Sequence, residues 1–258
     1  MKTVILCGGK GRRLDQETEF RPKPLVTIGS KPILWHIMKI YSHQGFKDFI
    51  LCLGYKGNAI KEYFLSLEEM SSDFLLDLET RNRTVLNNNG RLEASIYFID
   101  TGLESMTGAR VARIKKYIGE DEDFFLTYGD GVADIDLHKL YQHHKRMGKI
   151  ATLTSVHPVY WFGLVKLKDG IITRFDEKPD MKDLVNGGFM VLHRRIFDYL
   201  SEESSCVLEQ EPLRRLAQEG QLAAYEHKGF WKGMDNQKDV DELNMIYKQG
   251  APWETWKK

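Results

Sequence analysis

A short segment near the start of the chain combines glycine with positive charge. Gly8-Gly9-Lys10-Gly11-Arg12-Arg13 directly follows the apolar, β-branched residues 3–7, which predicts a buried strand that ends in a flexible, cationic loop. Glycine opens backbone N–H groups to a ligand, and Arg13 adds a permanent charge, so the loop suits a polyphosphate. A tight turn with surface arginines is the weaker alternative.

Two common phosphate-binding motifs do not fit this loop. The dinucleotide fingerprint G-x-G-x-x-G fails because its third glycine, counted from Gly9, falls on Leu14. A P-loop needs Ser or Thr after Gly-Lys, but here Gly11 follows Lys10. The loop is therefore a phosphate-binding candidate of another kind.

Lys23 stands between Pro22 and Pro24, shortly after the glycine loop. Because proline fixes its own φ angle, the two prolines present a flexible cation from a stiff support. An ammonium group in such a place is a good phosphate ligand. Lysine between prolines is common in exposed loops, so the main evidence for phosphate binding is that Lys23 lies close to the glycine loop in sequence.

Length and charge limit the classes of function. The chain has 258 residues, of which 42% are hydrophobic, enough for one full-sized core. Lys plus Arg and Asp plus Glu are equal at 37 each, so neither nucleic acid nor an anionic membrane surface is an expected partner. The sequence shows no apolar run of roughly 20 residues and no signal-peptide pattern, so we expect a cytoplasmic protein.

Several other conspicuous residues predict structural roles. Cys7, Cys52 and Cys206 are odd in number and widely spaced, which predicts reduced thiols and not disulfides or a metal site. The pair His143-His144 lacks a second ligand pair at metal spacing, which predicts a solvated helix face. We expect Trp253 and Trp256 to pack on the body or on another subunit.

Apolar runs alternate with amphipathic stretches along the chain. Strand patterns occupy residues 49–53, 94–99, 124–128 and 150–156, and helix patterns occupy residues 33–43, 58–65, 109–118 and 137–147. This alternation predicts an α/β fold with a doubly wound, mostly parallel sheet. Residues 163–175 predict two strands around an Asp169-Gly170 turn, so a smaller mixed β region follows the parallel core.

The glycine loop and the Pro-Lys-Pro segment belong to a set of motifs that resembles the sugar-1-phosphate nucleotidyltransferases. This set comprises Gly8-Gly9-x-Gly11-x-Arg13-Leu14, Pro22-Lys23-Pro24 and Gly29-x-Lys31-Pro32-Ile33-Leu34. Further motifs are similar to those of the glucose-1-phosphate cytidylyltransferases within the family: Leu34-Trp35-His36-Ile37-Met38-Lys39, Gly54-Tyr55-Lys56-Gly57, Thr107-Gly108-x-Arg110, Tyr128-Gly129-Asp130-Gly131, Phe175-x-Glu177-Lys178-Pro179, Asn186-Gly187-Gly188-Phe189 and Phe230-Trp231-x-x-Met234-Asp235. So many spaced matches are more specific than any single glycine loop.

The resemblance implies an organisation for the whole chain. It implies a Rossmann-like nucleotidyltransferase fold in one domain, residues 1–258. A nucleotide-binding portion would span about residues 1–157, and a sugar-phosphate-binding portion about residues 158–258. Members of the family commonly form homo-oligomers, which we expect here too.

The resemblance also implies a reaction. CTP and glucose 1-phosphate, or a related hexose 1-phosphate, would give a CDP-sugar and pyrophosphate. A sugar phosphate has a second pKa of about 6, so its dianion can attack the α-phosphorus in line without a strong general base. Positioning and charge neutralisation would then provide most of the catalysis.

Other activities remain open from the sequence. The same reaction with UTP or dTTP, or with a different phosphorylated acceptor, is the alternative within the class. A non-catalytic nucleotide-binding subunit is the alternative from another class. The presence of five residues argues against it, because binding alone does not require both aspartates: Arg13, Lys23, Asp130, Lys178 and Asp235.

The family's site residues carry over to matching positions of this chain. The resemblance implies catalytic roles for Arg13, Lys23 and Asp130. It implies nucleotide contacts by Gly8, Gly9, Gly11, Arg12, Arg13, Lys23, Thr107, Gly108, Arg110 and Asp130. It implies sugar-phosphate contacts by Trp161, Lys178, Asn186, Gly187, Gly188 and Asp235, and Mg²⁺ ligation by Asp130 and Asp235.

The residues themselves also permit simpler roles. Asp130 fits an Asp-Gly turn, and Asp235 fits the N-cap of a helix that begins near Gln237. Arg110 fits a cap for surface carbonyls or a partner for a nearby carboxylate. Only the resemblance pairs the two aspartates in one Mg²⁺ site. Triphosphate oxygens and water would complete its octahedral shell.

Two positions depart from the family pattern. Arg12 stands where the family usually has threonine, which adds a positive charge to the triphosphate loop. Trp161 stands where the family usually has arginine. We expect the indole either to stack on the acceptor's sugar ring or to pack in the hairpin core or a subunit interface.

Overall fold

The computed structural model describes residues 1–11, 14, 20–87, 92–157, 164–176 and 184–257. Four predicted site residues, Arg12, Arg13, Trp161 and Lys178, lie outside the described residues. The described strands are β1 (Thr3–Leu6), β2 (Thr27–Ile28), β3 (Lys31–Pro32), β4 (Asp48–Leu53), β5 (Phe74–Leu76), β6 (Arg83–Val85), β7 (Ser95–Asp100), β8 (Asp123–Tyr128), β9 (Gly131–Ala133), β10 (Ala151–Val156), β11 (Leu164–Lys168), β12 (Ile171–Asp176), β13 (Val185–His193), β14 (Leu222–Glu226) and β15 (Trp231–Gly233). The described α-helices are α1 (Ile33–His43), α2 (Gly57–Ser71), α3 (Thr107–Arg113), α4 (Lys115–Ile118), α5 (Leu137–Met147), α6 (Glu211–Gln218) and α7 (Gln237–Lys248).

The central sheet has seven strands in the order β14-β10-β13-β8-β1-β4-β7. β1 pairs in parallel with β4 and β8, β4 with β7, and β10 with β14. β13 runs antiparallel to both of its neighbours, β8 and β10. The predicted α/β fold with a mostly parallel sheet is therefore confirmed. Because parallel strands end at the same edge, the loops after β1 and β8 meet there.

Alternate residues of the central strands face opposite sides of the sheet. Ile5 and Phe49 belong to one apolar core, which also contains residues of α1 and α7. Val4 and Ile50 belong to the other, which contains residues of α3, α4 and α6. The period of two along a strand creates these faces, and helices cover both. The fold is consequently doubly wound, as predicted.

Most predicted elements are present, and some of them have different ends. The predicted helices at residues 33–43 and 137–147 coincide with α1 and α5. The predicted helix at residues 109–118 is divided into α3 and α4 at Ile114. The predicted hairpin is β11 and β12, with Asp169 and Gly170 at φ 49° and 80°. The sequence analysis missed the hairpin of β5 and β6, whose three-residue strands are too short for a periodic pattern.

The C-terminal segment packs on the body of the protein, one of the two expected places. Trp253 is fully buried, and its Nε1 donates to His36 Nδ1 at 3.3 Å. The His36 Nε2 lies 2.9 Å from the Ile28 carbonyl, so the histidine is a neutral tautomer that donates from Nε2. Trp256 meets Trp35 edge to face with ring centroids 6.1 Å apart. These contacts join the chain's last residues to α1.

The prediction of a solvated face at His143-His144 is wrong for His144. This side chain is only 2% exposed. Its Nδ1 lies 2.8 Å from Thr152 Oγ1, and its Nε2 lies 3.4 Å from Asp123 Oδ1. His144 lies on the side of α5 that faces the sheet, and it is therefore buried although most of the helix is polar.

The cysteines are free thiols, as predicted, and Cys7 and Cys52 are buried. Burial raises the pKa of Cys52 to about 12, so this thiol stays protonated and unreactive at neutral pH. In the described part of the chain, no helix has both the length and the apolar character needed to cross a membrane.

Candidate active site

A cavity of about 370 Å³ opens at the carboxyl edge of the central sheet, where β1 and β8 end. Open α/β sheets bind ligands at this edge. Eight of the predicted site residues line the cavity: Gly8, Gly9, Gly11, Lys23, Thr107, Arg110, Asp130 and Asp235. The topology therefore brings together residues from distant parts of the sequence.

Lys23 contacts both predicted metal ligands. Its Nζ donates to Asp130 Oδ2 at 2.6 Å and to Asp235 Oδ1 at 3.0 Å. The lysine side chain is 12% exposed, whereas the carboxylates are 34% and 50% exposed. Charge-assisted hydrogen bonds are strong when the donor is shielded from water, so the carboxylates hold this ammonium at the cavity wall.

The backbone around Lys23 is fixed on both sides. Lys23–Leu25 form a short 3-10 helix, preceded by Pro22 in an extended conformation. The Leu25 N–H donates to the Pro22 carbonyl at 2.8 Å, and the Val26 N–H donates to the Lys23 carbonyl at 3.1 Å. Pro24 is buried. The predicted stiff support is present, because each proline also restricts the chain next to it.

A small second sheet brings Asp130 and Asp235 together. Asp130 precedes β9, Asp235 follows β15, and these two strands pair antiparallel. The Met234 N–H also donates to the Asp130 carbonyl at 2.8 Å. Asn236 caps α7 in a capping box with Asp239. The N-cap interpretation of Asp235 is therefore wrong, and its carboxylate contacts Lys23.

Arg110 is buried behind the glycine loop and supports its backbone. Nη1 donates to the carbonyls of Leu53 and Gly102 at 2.9 Å and to Thr101 Oγ1 at 2.8 Å. Nη2 donates to the Gly8 carbonyl at 2.9 Å. A Cβ on Gly8 would lie 2.1 Å from Arg110 Nη1, so the close approach requires glycine. Arg110 thus caps carbonyls, as one alternative predicted, but the Gly8 and Leu53 carbonyls are buried and not at the surface.

Thr107 and Gly108, at the start of α3, pack against the segment that precedes α6. Thr107 Oγ1 donates to Glu209 Oε2 at 2.5 Å and accepts from the Leu208 N–H at 3.0 Å. A Cβ on Gly108 would lie 2.6 Å from Cys206 Sγ. Thr107 lines the cavity, whereas Gly108 lies against this neighbouring segment. The glycine is thus required for packing of the wall.

A second cavity, of about 190 Å³, lies beside the first and shares Asp130 and Asp235 with it. Asn186, Gly187 and Gly188, which the resemblance assigns to sugar-phosphate contacts, line it. The Gly187 carbonyl accepts from Trp231 Nε1 at 2.7 Å. Asn186 Oδ1 accepts from the Gly188 N–H at 2.9 Å. The loop therefore places amide and backbone polar groups next to the two carboxylates.

Gly188 adopts a backbone conformation that favours glycine. Its φ is +81°, and a Cβ here would lie 2.7 Å from the Tyr128 ring. Both the left-handed backbone and the close ring select glycine at this position. The Asn-Gly-Gly motif is thus a specific local structure and not an ordinary exposed turn.

Tyr128 lies between the two cavities and lines both. Its hydroxyl donates to Glu209 Oε1 and accepts from Asn186 Nδ2 at 3.4 Å. Burial, and then the neighbouring Glu209 carboxylate, raises the pKa of Tyr128 far above its usual value. The phenol is consequently a neutral donor at all physiological pH values.

The sequence analysis missed two residues of this arrangement. Tyr128 directly precedes the Gly129-Asp130 motif at the end of β8, so its position at the ligand edge could have identified it. Glu209 lies in a connection before α6 with no neighbouring motif, and nothing in the sequence pattern indicates it. Arg12, Arg13, Trp161 and Lys178 lie outside the described residues, so their predicted roles stay predictions.

The donor set of Asp130 and Asp235 fits a hard divalent cation. Two carboxylates already converge on one positive charge, the Lys23 ammonium. In the described residues, no group of three or more His, Cys, Asp or Glu side chains is placed to hold a metal. Mg²⁺ commonly binds through one or two carboxylates together with substrate phosphates and water. The two aspartates therefore suit an ion that arrives with a phosphate-bearing substrate.

Similarity to known proteins covers almost the whole chain. Residues 2–250 match the family described as nucleotidyl transferase. The glucose-1-phosphate cytidylyltransferases of Salmonella typhimurium strain LT2 and of Salmonella typhi are each 46% identical over 258 residues, covering 99% of this chain and 100% of the relative.

A solved structure with lower sequence identity shares the fold. The UTP-bound UGPase from Acinetobacter baumannii superimposes with a TM-score of 0.69 at 18% identity, covering 95% of this chain and 92% of that chain. The fold, the cavity at its carboxyl edge and the full-length matches agree with one another. The chain belongs to the nucleotidyl transferase family of enzymes.

Proposed function

We propose that this enzyme transfers the cytidylyl group of CTP to glucose 1-phosphate and releases pyrophosphate. The single observation that carries the proposal is the 46% identity over the whole chain to enzymes named for this reaction. The cavity geometry supports it, because Lys23, Asp130 and Asp235 meet where the glycine loop ends a parallel strand. The same similarity supports a nucleoside triphosphate and a sugar 1-phosphate as the two substrate classes.

The larger cavity suits the nucleotide. Gly9 is exposed, and a Cβ there would meet nothing within 4 Å, so a phosphate can approach the backbone closely. Arg110 fixes the neighbouring Gly8 carbonyl from behind. Lys23 supplies positive charge from its rigid support, and we assign Arg12 and Arg13 to the same triphosphate. Preorganised charge of this kind needs little rearrangement when the reaction occurs.

The smaller cavity suits the sugar phosphate. Its amide and backbone groups can both donate and accept hydrogen bonds, as a hydroxylated ring requires. It adjoins Asp130 and Asp235, so the acceptor phosphate would lie close to the nucleotide phosphates. We assign Lys178 to that phosphate and Trp161 to the acceptor's ring.

The proposed chemistry is a direct displacement. A phosphate oxygen of glucose 1-phosphate forms a bond to the α-phosphorus of CTP, and the bond from that phosphorus to the β-phosphate oxygen breaks. Pyrophosphate leaves with the electron pair, and the dianionic acceptor gives up no proton. Lys23 neutralises charge on the phosphates, and the two cavities hold the reacting oxygen in line with the leaving group.

Enzymes of this family generally use a divalent metal ion, and we propose that Asp130 and Asp235 hold Mg²⁺. When bound, such an ion supplies positive charge to the phosphates around the α-phosphorus. The side chains of Lys23, Asp130 and Asp235 sum to one net negative charge. A triphosphate would meet repulsion from this trio alone, so an added cation is physically reasonable.

We further propose a homo-oligomer in the cytoplasm, with a nucleotide-binding portion of about residues 1–157 and a sugar-phosphate-binding portion of about residues 158–258. Exposed apolar side chains support an association surface. In the β11–β12 hairpin, Leu167 and Ile171 are 65% and 69% exposed, and a two-stranded hairpin alone is only marginally stable in water.

A substrate panel tests the proposal. The purified enzyme is incubated with glucose 1-phosphate and each of CTP, UTP, dTTP, ATP and GTP, and pyrophosphate release is measured with and without Mg²⁺. We expect release with CTP to exceed release with every other triphosphate. Release with another triphosphate and not with CTP would overturn the nucleotide assignment, and no release with any triphosphate would overturn glucose 1-phosphate as the acceptor.

A further inference from the structure

We propose that Glu209 is a positioning residue that fixes Thr107 and Tyr128 and thereby sets the affinity of both cavities for their substrates. This inference rests on the proposed function for the identity of the substrates. Glu209 comes from the connection between the 3-10 helix at Arg194–Tyr199 and α6, and it belongs to none of the motifs that indicated the site.

The two oxygens of the Glu209 carboxylate serve different walls of the site. Oε2 accepts from Thr107 Oγ1 at 2.5 Å, on the wall of the larger cavity. Oε1 accepts from the Tyr128 hydroxyl, which lies between the cavities. One side chain therefore fixes groups that would face both substrates.

The hydrogen-bond chain continues into the smaller cavity. Asn186 Nδ2 donates to the Tyr128 hydroxyl at 3.4 Å, and Asn186 Oδ1 accepts from the Gly188 N–H at 2.9 Å. Each group in this chain determines whether its neighbour donates or accepts the hydrogen bond between them. Since the Glu209 carboxylate accepts only, both Thr107 and Tyr128 must donate toward it. Their oxygens are then oriented with lone pairs toward other donors.

A second contact orients the Thr107 hydroxyl. The Thr107 hydroxyl also accepts from the Leu208 N–H at 3.0 Å, which holds it from a second side. Glu209 thus orders two neutral hydroxyls with one charge, and it does not touch the reacting atoms.

Kinetics of two Glu209 variants test this role. Glu209→Ala should raise the KM for CTP and for glucose 1-phosphate by about tenfold each, the effect of losing a hydrogen bond to a charged group. Its kcat should change by less than about threefold, because the residue supports binding and not the chemical step. Glu209→Gln should recover most of both KM values, since its amide can accept from Tyr128 and donate to Thr107.

Tyr128→Phe removes one of the two donors and leaves the ring in place. It should raise the KM for glucose 1-phosphate, and the Glu209→Ala/Tyr128→Phe double variant should show less than the sum of the two free-energy effects, because the partners are directly bonded. This variant keeps the proposal testable if Glu209→Ala does not fold. Glu203→Ala, an exposed residue of the same connection, is the control and should match the wild type.

The possible results distinguish a positioning role of Glu209 from a purely structural role, and they also distinguish failure of this role from failure of the proposed function. If Glu209→Ala lowers the melting temperature but leaves both KM values unchanged, the positioning role is refuted. Additive effects in the double variant would refute the shared hydrogen-bond chain. If the wild type uses another substrate pair from the panel, the function assignment fails, and the same KM comparison with that pair still tests Glu209.

Discussion

Lys23 Nζ lies 3.0 Å from Asp235 Oδ1, although the two residues are 212 positions apart in the chain. This ion pair joins the loop region after β1 to the segment between β15 and α7. It also places a cation between the two carboxylates that suit a metal ion. The electrostatics of the site are therefore set by residues from opposite ends of the protein.

Loss of the Lys23 ammonium should affect turnover more than stability. We expect Lys23→Ala to lower kcat by about 100-fold or more, the usual effect of removing one preorganised electrostatic group. Circular dichroism should show an unchanged fold, since the prolines still fix the backbone. The exposed Lys116 offers a matched control, and Lys116→Ala should behave as wild type. A kcat for Lys23→Ala within a few-fold of the parent would remove Lys23 from the catalytic group.

The two aspartates should determine the metal requirement. Chelator should abolish activity, and Asp130→Asn and Asp235→Asn should each raise the Mg²⁺ concentration needed for half-maximal rate. An amide oxygen is a neutral ligand and binds a hard cation more weakly than a carboxylate does. Asp241→Asn, on exposed α7 surface, is the matched control. Full wild-type activity in chelator would show that no metal is involved.

Arg110 should affect both folding and nucleotide binding. Lysine cannot reproduce the forked contacts to the Gly8 and Leu53 carbonyls, and each lost hydrogen bond from a charged group costs about 1.5–3 kcal/mol. Arg110→Lys should lower the free energy of unfolding in urea and raise the KM for CTP. Arg194→Lys, at an exposed position, should change neither. An unchanged KM for CTP in Arg110→Lys would limit Arg110 to a structural role.

The sequence predicts the elements with strong periodicity better than the rest of the fold. α1 and α5 have the predicted ends because their apolar residues recur at helical spacing and their neighbours break the pattern. The antiparallel strand β13 was not assigned, because a strand buried on both faces has no alternation to read. The prediction for His144 is wrong because a buried, hydrogen-bonded histidine looks the same in sequence as an exposed one.

The site residues divide in a similar way, into those that local motifs indicate and those that only tertiary structure brings to the site. Glycine loops and the Pro-Lys-Pro segment carry local constraints, so Gly8, Lys23 and Asp130 could be found from the sequence and the family resemblance. Asp235 needed the resemblance, because only the pairing of β9 with β15 brings it to Lys23. Glu209 depends wholly on tertiary structure. A single carboxylate in a connection has no local signal for the two hydroxyls that it contacts.

Stability should depend on pH through His36. Burial lowers the pKa of this histidine, with smaller opposing contributions from the Ile28 carbonyl and Glu254. Below the ordinary histidine pKa of about 6.5, the unfolded chain binds a proton that the folded chain resists. The free energy of unfolding should therefore fall as pH drops below that value, by up to about 1.4 kcal/mol per pH unit, and this contribution should be constant at higher pH.

Urea unfolding at several pH values, compared with His36→Gln, measures the His36 contribution. The amide does not titrate, so the variant should lose less stability than the wild type between neutral and mildly acidic pH. Parallel losses in the two proteins would assign the pH dependence to other groups.

Trp161 gives a prediction that rests on the sequence alone. If the indole faces the acceptor's sugar ring, Trp161→Ala should raise the KM for glucose 1-phosphate and leave the KM for CTP unchanged, because stacking on the ring is lost. If the residue packs in the hairpin or at a subunit interface, the variant should instead show a lower melting temperature or a smaller mass in solution. Two unchanged KM values would exclude the acceptor-facing role.

Isotope transfer from the acceptor phosphate most directly tests whether an acceptor oxygen attacks the α-phosphorus derived from CTP. Glucose 1-phosphate labelled with ¹⁸O in its phosphate oxygens is incubated with CTP, Mg²⁺ and the purified enzyme, and the products are analysed by mass spectrometry. A direct displacement at the α-phosphorus predicts that all of the label is found in CDP-glucose and none in pyrophosphate. Absence of CDP-glucose, or label in the released pyrophosphate, would contradict the proposed reaction.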